Sequence, residues 1–154
     1  MITARARVPG FTLIELLITV AILAIITTIA TGSYRQYIRR ANRVDATSAL
    51  LKLASAEEKF YAQNGQYATA ADMAAAPPAG LGIAGTGNGY YGLDIQLPAG
   101  GAAVGFLAVA TVDDSSMQAD DEDCWVLTLN ERGLRAAETR DGEVGPEVTA
   151  RCWR

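Results

Sequence analysis

The spacing of apolar residues divides this chain into three parts. From Phe11 to Tyr34, 24 residues carry one charge, Glu15, and no proline. Wound as a helix, that run would measure about 36 Å, enough to cross a bilayer core of about 30 Å with some tilt. Beyond Arg35 the pattern becomes amphipathic: Leu50, Leu53, Ala54, Phe60 and Tyr61 recur at helical spacing and predict an apolar stripe facing a sheet. Asn64-Gly65 supplies a stop. The next stretch, 66–89, is rich in Ala, Gly and Pro and reads as a connecting loop, with a short helix expected near Ala70 to Ala76. Strand signals come next at Tyr90 to Leu97, Gly105 to Val112, Cys124 to Asn130 and Leu134 to Thr139, with Asn130 to Gly133 as a hairpin turn. Short links between consecutive strands predict an antiparallel sheet whose apolar face covers the helix stripe, an α+β arrangement.

Charge and composition narrow the field. The 154 residues allow one core of ordinary size beside the apolar run. A formal charge of −4, with only two lysines, Lys52 and Lys59, argues against nucleic-acid binding as the main business of the domain. Histidine is absent, which removes the usual general base and the commonest metal ligand. There is no G-x-S-x-G, no Walker A lysine and no close-spaced cysteine pair. Gly80-Leu81-Gly82-Ile83-Ala84-Gly85 satisfies G-x-G-x-x-G, but Pro77-Pro78 precedes it and Tyr90-Tyr91 comes after it, so the strand and helix that nucleotide binding needs are missing. No enzymatic constellation emerges.

Three features carry candidate chemistry. Glu15 would lie inside a membrane helix, where a carboxylate costs about 2.5 kcal/mol or more, so a specific partner is expected. Cys124 and Cys152 form a disulfide if the apolar segment exports the domain attached to it, or remain two buried thiols if it does not. Asp113 to Asp123 holds six carboxylates in one loop, which reads as a solvated acidic loop or as a calcium site of hard oxygen ligands; it lacks the spacing and the glycine of an EF-hand.

The start of the chain is not a conventional signal peptide, because no apolar core precedes Gly10. A cut after Gly10 would release a short basic leader and leave the apolar helix on the mature chain. Gly10-Phe11-Thr12-Leu13-Ile14-Glu15-Leu16 resembles the processing motif of type IV prepilins. The segments Ser33 to Arg40, Ala49 to Ala54 and Phe60 to Tyr67, with the closing Cys152-Trp153, resemble PilE-like minor pilins of type IVa systems. One departure is Gly32, where many pilins have proline; glycine weakens a helix but keeps its backbone donor.

The resemblance implies a type IV pilin fold: residues 1–10 a leader removed by prepilin peptidase, 11–34 a transmembrane and filament-core half-helix, and 35–154 a periplasmic globular domain. That domain would comprise helix 35–64, loop 66–89, sheet 90–139 and tail 140–154, the tail stapled to the third strand through Cys152. It further implies cleavage between Gly10 and Phe11, N-methylation of Phe11, and a pairing of Glu15 with the Phe11 amine of a neighbouring subunit during assembly. The new amine is a cation that a buried carboxylate needs. No cofactor is implied. The implied partners are the peptidase, other major and minor pilins, an inner-membrane assembly platform and the inner membrane itself, where a single-pass precursor waits before joining an extracellular pilus of a Gram-negative bacterium.

Arg5 and Arg7 on one side of the span, against Arg35, Arg39, Arg40 and Arg43 on the other, point the domain inward by the positive-inside rule. The cysteines and the prepilin motif point it outward, and the outward orientation is retained. The arginines themselves read as a solvated helix face or as contacts to headgroups and subunits. Rival readings are a type II secretion pseudopilin, a pilin that captures DNA or another ligand, and an exported domain cleaved after Gly32, where Ala30-Thr31-Gly32 offers a small-x-small site.

Overall fold

The computed structural model describes residues 11–154; the expected leader 1–10, with Gly10 of the cleavage site, lies outside the described residues. Helix α1 spans Leu13–Asn64, strands β1 Tyr91–Gln96, β2 Leu107–Val112, β3 Val126–Asn130 and β4 Arg135–Glu138 come after it, and α2 spans Pro146–Cys152. Two compact units divide at Ile38, one holding the first part of α1 and the other Arg39–Arg154.

In the first unit every residue from Phe11 to Tyr37 is exposed, including Leu13, Ile14, Leu16, Leu17 and Leu23. The backbone remains helical through Gly32. Threonines in this apolar stretch turn their hydroxyls inward: Thr19 donates to the Leu16 carbonyl at 2.9 Å, Thr27 to Leu23 at 2.7 Å and Thr28 to Ile25 at 2.7 Å. Thr31 donates to Thr27 and Thr28 at 3.1 and 3.0 Å. Such back-bonding leaves methyl groups, rather than hydroxyls, facing outward.

The second unit is a helix on an antiparallel meander of order β1-β2-β3-β4. Ile95 faces Ala108, which faces Leu129; Leu93 faces Ala110, which faces Leu127, which faces Ala137. These rows share one face by the two-residue period of strands. They join Ala46, Leu50 and Leu53 of α1, together with Phe106 and Val148, in a single core. The short side chains of Ala108 and Ala110, both fully buried, leave room for the leucines of α1. All four strands fall within two residues of the expected positions, and α1 ends where Asn64-Gly65 placed the stop. There Gly65, at φ 72°, donates its N–H to the Tyr61 carbonyl at 2.8 Å. The β3–β4 turn is held by the Asn130 carboxamide oxygen, which accepts the N–H groups of Arg132 and Leu134 at 3.0 and 2.9 Å.

Three expectations need correction, and the tail holds an element that the sequence pattern does not predict. No helix forms at Ala70 to Ala76: Thr69 N–H and its hydroxyl bond Asp72 instead, and isolated turns run up to Pro77, whose ring disfavours helical geometry at Ala76. Tyr61 lies outside the core at 38% exposure, stacked on Tyr67 at 4.6 Å, because a single returning ring rather than the sheet covers this end of α1. Cys124 sits in a 3₁₀ turn, Glu122–Cys124, ahead of β3 rather than in the strand. The tail contains α2, opened by Pro146 at a position where its missing N–H has no helical partner to lose. The disulfide Cys124–Cys152, with a Cα separation of 5.6 Å, fixes α2 to the end of the acidic loop, and the Trp153 indole donates to the Ala136 carbonyl of β4 at 2.9 Å.

The acidic loop differs most from a solvated segment. Asp121 and Gln118 are buried, and the Arg43 guanidinium grips Asp121 with two bonds, at 2.6 Å from Nε and 2.5 Å from Nη2. Gln118 donates to Asp121 at 2.6 Å and to the Tyr91 hydroxyl at 3.1 Å, while its carbonyl oxygen accepts Asn42 at 2.9 Å. Tyr91 in turn lies 3.5 Å from the Cys124 carbonyl. One polar cluster thus ties α1, β1, the loop and the disulfide together. Burial opposes the charge on Arg43, but its bonds with Asp121 outweigh that, and its pKa is raised. Burial and the charge of Asp121 push the Tyr91 hydroxyl up as well, so it stays a donor. At the rim, Asp120, Asp114 and Asp123 face Arg39, Arg140 and Arg151 at 3.7, 3.5 and 3.4 Å, exposed pairs that contribute little individually.

Arg43→Met leaves the Asp121 carboxylate buried without its cation, and should destabilise the fold by about 3–5 kcal/mol in urea denaturation. The double variant Arg43→Met/Asp121→Leu should recover much of that loss. A stability for Arg43→Met equal to the wild type would show that the pair does not hold the loop.

Candidate filament-assembly site

The described part of the segment Gly10 to Leu16 begins at Phe11, two residues before α1. Thr12 sits at the helix start: its carbonyl accepts the Leu16 N–H at 3.2 Å, and its hydroxyl accepts the Glu15 N–H at 3.3 Å. Thr-x-x-Glu is the spacing of a capping box, in which the hydroxyl satisfies one of the free N–H groups of the first turn. The surrounding run of apolar residues hid this signal, which is legible in Thr12-Leu13-Ile14-Glu15 once the helix start is known. Glu15 lies in the first turn, where a negative charge meets the positive end of the helix dipole.

Phe11 is 85% exposed and Glu15 is exposed as well. Among the described residues the Glu15 carboxylate makes no ion pair or side-chain hydrogen bond. From Phe11 the chain presents, in order, a bulky aromatic, a cap and one carboxylate, then an apolar surface with a mean hydropathy of 2.6 over 18 residues and none of it buried. An exposed apolar surface of this size needs lipid or protein to cover it. Of the arginines, Arg43 belongs to the buried cluster and Arg39 to its rim, while Arg35 and Arg40 remain exposed.

The carboxylates of the acidic loop do not converge. Four face arginines, and Asp113 accepts the Ser115 N–H and hydroxyl at 2.8 and 2.7 Å, which holds its own pKa down. Among the described residues no group of three His, Cys, Asp or Glu side chains is placed to hold a metal ion.

A family model described as the prokaryotic N-terminal methylation motif matches residues 5–31. A second, described as type IV minor pilin ComP, DNA uptake sequence receptor, matches residues 32–128. The chain belongs to the type IV minor pilin family. Members of this family are structural proteins rather than enzymes, and the methylation motif implies processing by prepilin peptidase and assembly of pilin on pilin. This pilin is 37% identical over 92 residues to the fimbrial protein EcpC of Eikenella corrodens, an alignment covering 60% of this chain and 56% of EcpC. It is 30% identical over 95 residues to the type IV major pilin protein PilA of Myxococcus xanthus, covering 62% of this chain and 40% of PilA. The matched region thus spans about half the length of these relatives. A solved type IV pilin structure from Shewanella oneidensis aligns with a TM-score of 0.42 at 25% identity, covering 63% of this chain and 89% of that one.

Thr12→Val removes the cap and should cost about 1 kcal/mol of local helix stability. Amide exchange at Glu15 and Leu16, measured in detergent micelles, should accelerate about fivefold; unchanged exchange would assign the hydroxyl no capping role.

Proposed function

We propose that this pilin is a minor structural subunit of a type IV pilus, held in the inner membrane by its N-terminal helix with Arg39–Arg154 in the periplasm, then transferred into the filament or its tip. The observation that carries this reading is the exposed apolar helix whose one carboxylate, Glu15, has no ion-pair partner among the described residues, within the match to the methylation motif. In a packed bundle of such helices the Glu15 carboxylate requires a cation from outside its own chain. The methylated amine of Phe11 on an adjacent subunit supplies it, because N-methylation keeps the charge. Glu15 then sets the axial register of each incoming subunit. The paired cysteines and the terminal Cys-Trp favour this reading over a type II secretion pseudopilin.

A second reading, DNA capture by the assembled subunit, is favoured by the description of the family model over residues 32–128. The net charge of −4 argues against it less than the sequence suggests. The acidic loop is largely neutralised by its arginines, whereas Lys52, Lys59 and Arg135 are exposed outside those pairs. Phosphate contacts of this kind weaken steeply with salt.

N-terminal mass spectrometry of the protein from pili should find a chain beginning with methylated Phe11; a chain beginning at Ser33 would remove the filament role. Glu15→Val should be cleaved and inserted normally yet fall at least tenfold in sheared filaments, and full incorporation would sink the pairing of Glu15 with Phe11. For DNA capture, the full chain in micelles should retard duplex DNA at 50 mM salt and lose most of that binding at 300 mM. Absence of retardation at low salt counts against the second reading alone.

A further inference from the structure

Glu57 and Glu58 are neighbours near the end of α1, and the fold treats them oppositely. Glu58 is exposed and accepts the Tyr67 hydroxyl at 3.2 Å, whereas Glu57 is wholly buried. One oxygen of Glu57, Oε2, accepts the Ala68 N–H at 2.8 Å; the other, Oε1, has no partner and is the one such buried side-chain atom among the described residues. The charged groups acting on it are Asp72 of the next loop and Glu58 of α1, both acidic, and none of the ion pairs among the described residues includes it. Burial first, then those two negative charges, raise the Glu57 pKa from 4.5 to about 7 against the pull of the Ala68 N–H.

The segment attached to this carboxyl, residues 66–84, is organised by its own bonds. The Asp72 carboxylate accepts the Thr69 N–H and hydroxyl at 3.0 and 2.7 Å, and the Asp72 carbonyl accepts the N–H groups of Ala75 and Leu81 at 3.2 and 3.1 Å. Gly82 and Ile83 donate to Ala75 and Met73, each at 2.8 Å. Gly80 permits this closure, since a Cβ there would lie 2.1 Å from the Asp72 carbonyl oxygen. The polar attachments of this segment to the rest of the domain include the Glu57–Ala68 bond, the Glu58–Tyr67 bond and the Tyr67 N–H bond to Ala102 at 2.8 Å. Tyr67, Ala68 and Leu81 form its apolar underside.

We propose that Glu57 is a proton-operated latch for this loop. Protonated, it rests in the core and holds Ala68; ionised, it draws water, and the loop 66–84 lifts from α1, carrying Tyr67, Ala68 and Leu81 out of the core. Burying an unpaired carboxylate is costly, and movement of the loop is the means by which it regains solvent. The direction is set by the proton linkage. The docked state holds the Glu57 proton more tightly than the released state, so docking is strongest below about pH 4.5, weakens as pH rises toward 7, and levels off once both states are ionised.

Hydrogen exchange with mass spectrometry on the full processed chain in micelles, corrected for intrinsic rates, tests this between pH 5 and 8.5. Peptides from 66–84 should lose protection at least tenfold across that range while β2 and β3 keep theirs. Glu57→Gln should abolish the pH dependence, and Glu58→Gln should retain it. Flat protection of 66–84 in the wild type overturns the latch, and this outcome does not depend on whether Glu57→Gln folds. A step that persists in a folded Glu57→Gln, or disappears in Glu58→Gln, overturns it too.

Discussion

The ion pair between Arg43 and Asp121 is the contact through which the globular unit is joined. It links residues 78 positions apart, and around it Asn42, Gln118 and Tyr91 complete one another's hydrogen bonds. Removing two charges from water is unfavourable unless geometry and neighbours compensate, and here a bidentate grip and a donor amide on the same carboxylate do so. The consequence is specific placement rather than large net stability. The cluster sets where the acidic loop lies, the loop presents Cys124, and Cys124 fixes α2 against β4 through the disulfide and the Trp153 indole. A hydrophobic substitute could hold the helix to the sheet, but it would not dictate which residues of the loop turn inward.

The same cluster marks where sequence reasoning stops. The strands were legible because alternation survives in them, and the end of α1 because Gly65 can adopt a positive φ. Arg35, Arg39, Arg40 and Arg43 look alike in the sequence, spaced along one helix; only the partner loop separates the buried one from the exposed ones. Gln118 had no signal at all, since a loop residue acquires its environment from contacts remote in the chain. Glu57 did have one. It continues the spacing of Leu50 and Leu53, so its carboxyl falls on the buried stripe while Glu58 falls beside it. Its acidic identity disguised a core position. Of the assembly segment, the processing motif and the carboxylate were legible, and the Thr12 cap was not, because a cap is recognised only once the first turn is located.

The two units also divide the physics of the molecule. Apart from Glu57 Oε1, Arg39–Arg154 satisfies its buried side-chain polar atoms internally, and it stabilises itself through a mixed core and a covalent staple. The first part of α1 does the reverse: it has no internal core, and its apolar side chains are all on the outside. Its structure therefore depends on a surrounding medium, whereas the globular unit carries its own.

The inward-turned hydroxyls of Thr19, Thr27, Thr28 and Thr31 bear on that dependence. Each is already bonded to a carbonyl of its own helix, so moving this surface from acyl chains to another helix requires no hydrogen bond to be exchanged at these positions. The solvent changes and the bonds do not. Along this length the helix is chemically indifferent to whether hydrocarbon tails or protein surround it, and directional preference is left to the charged group at its head.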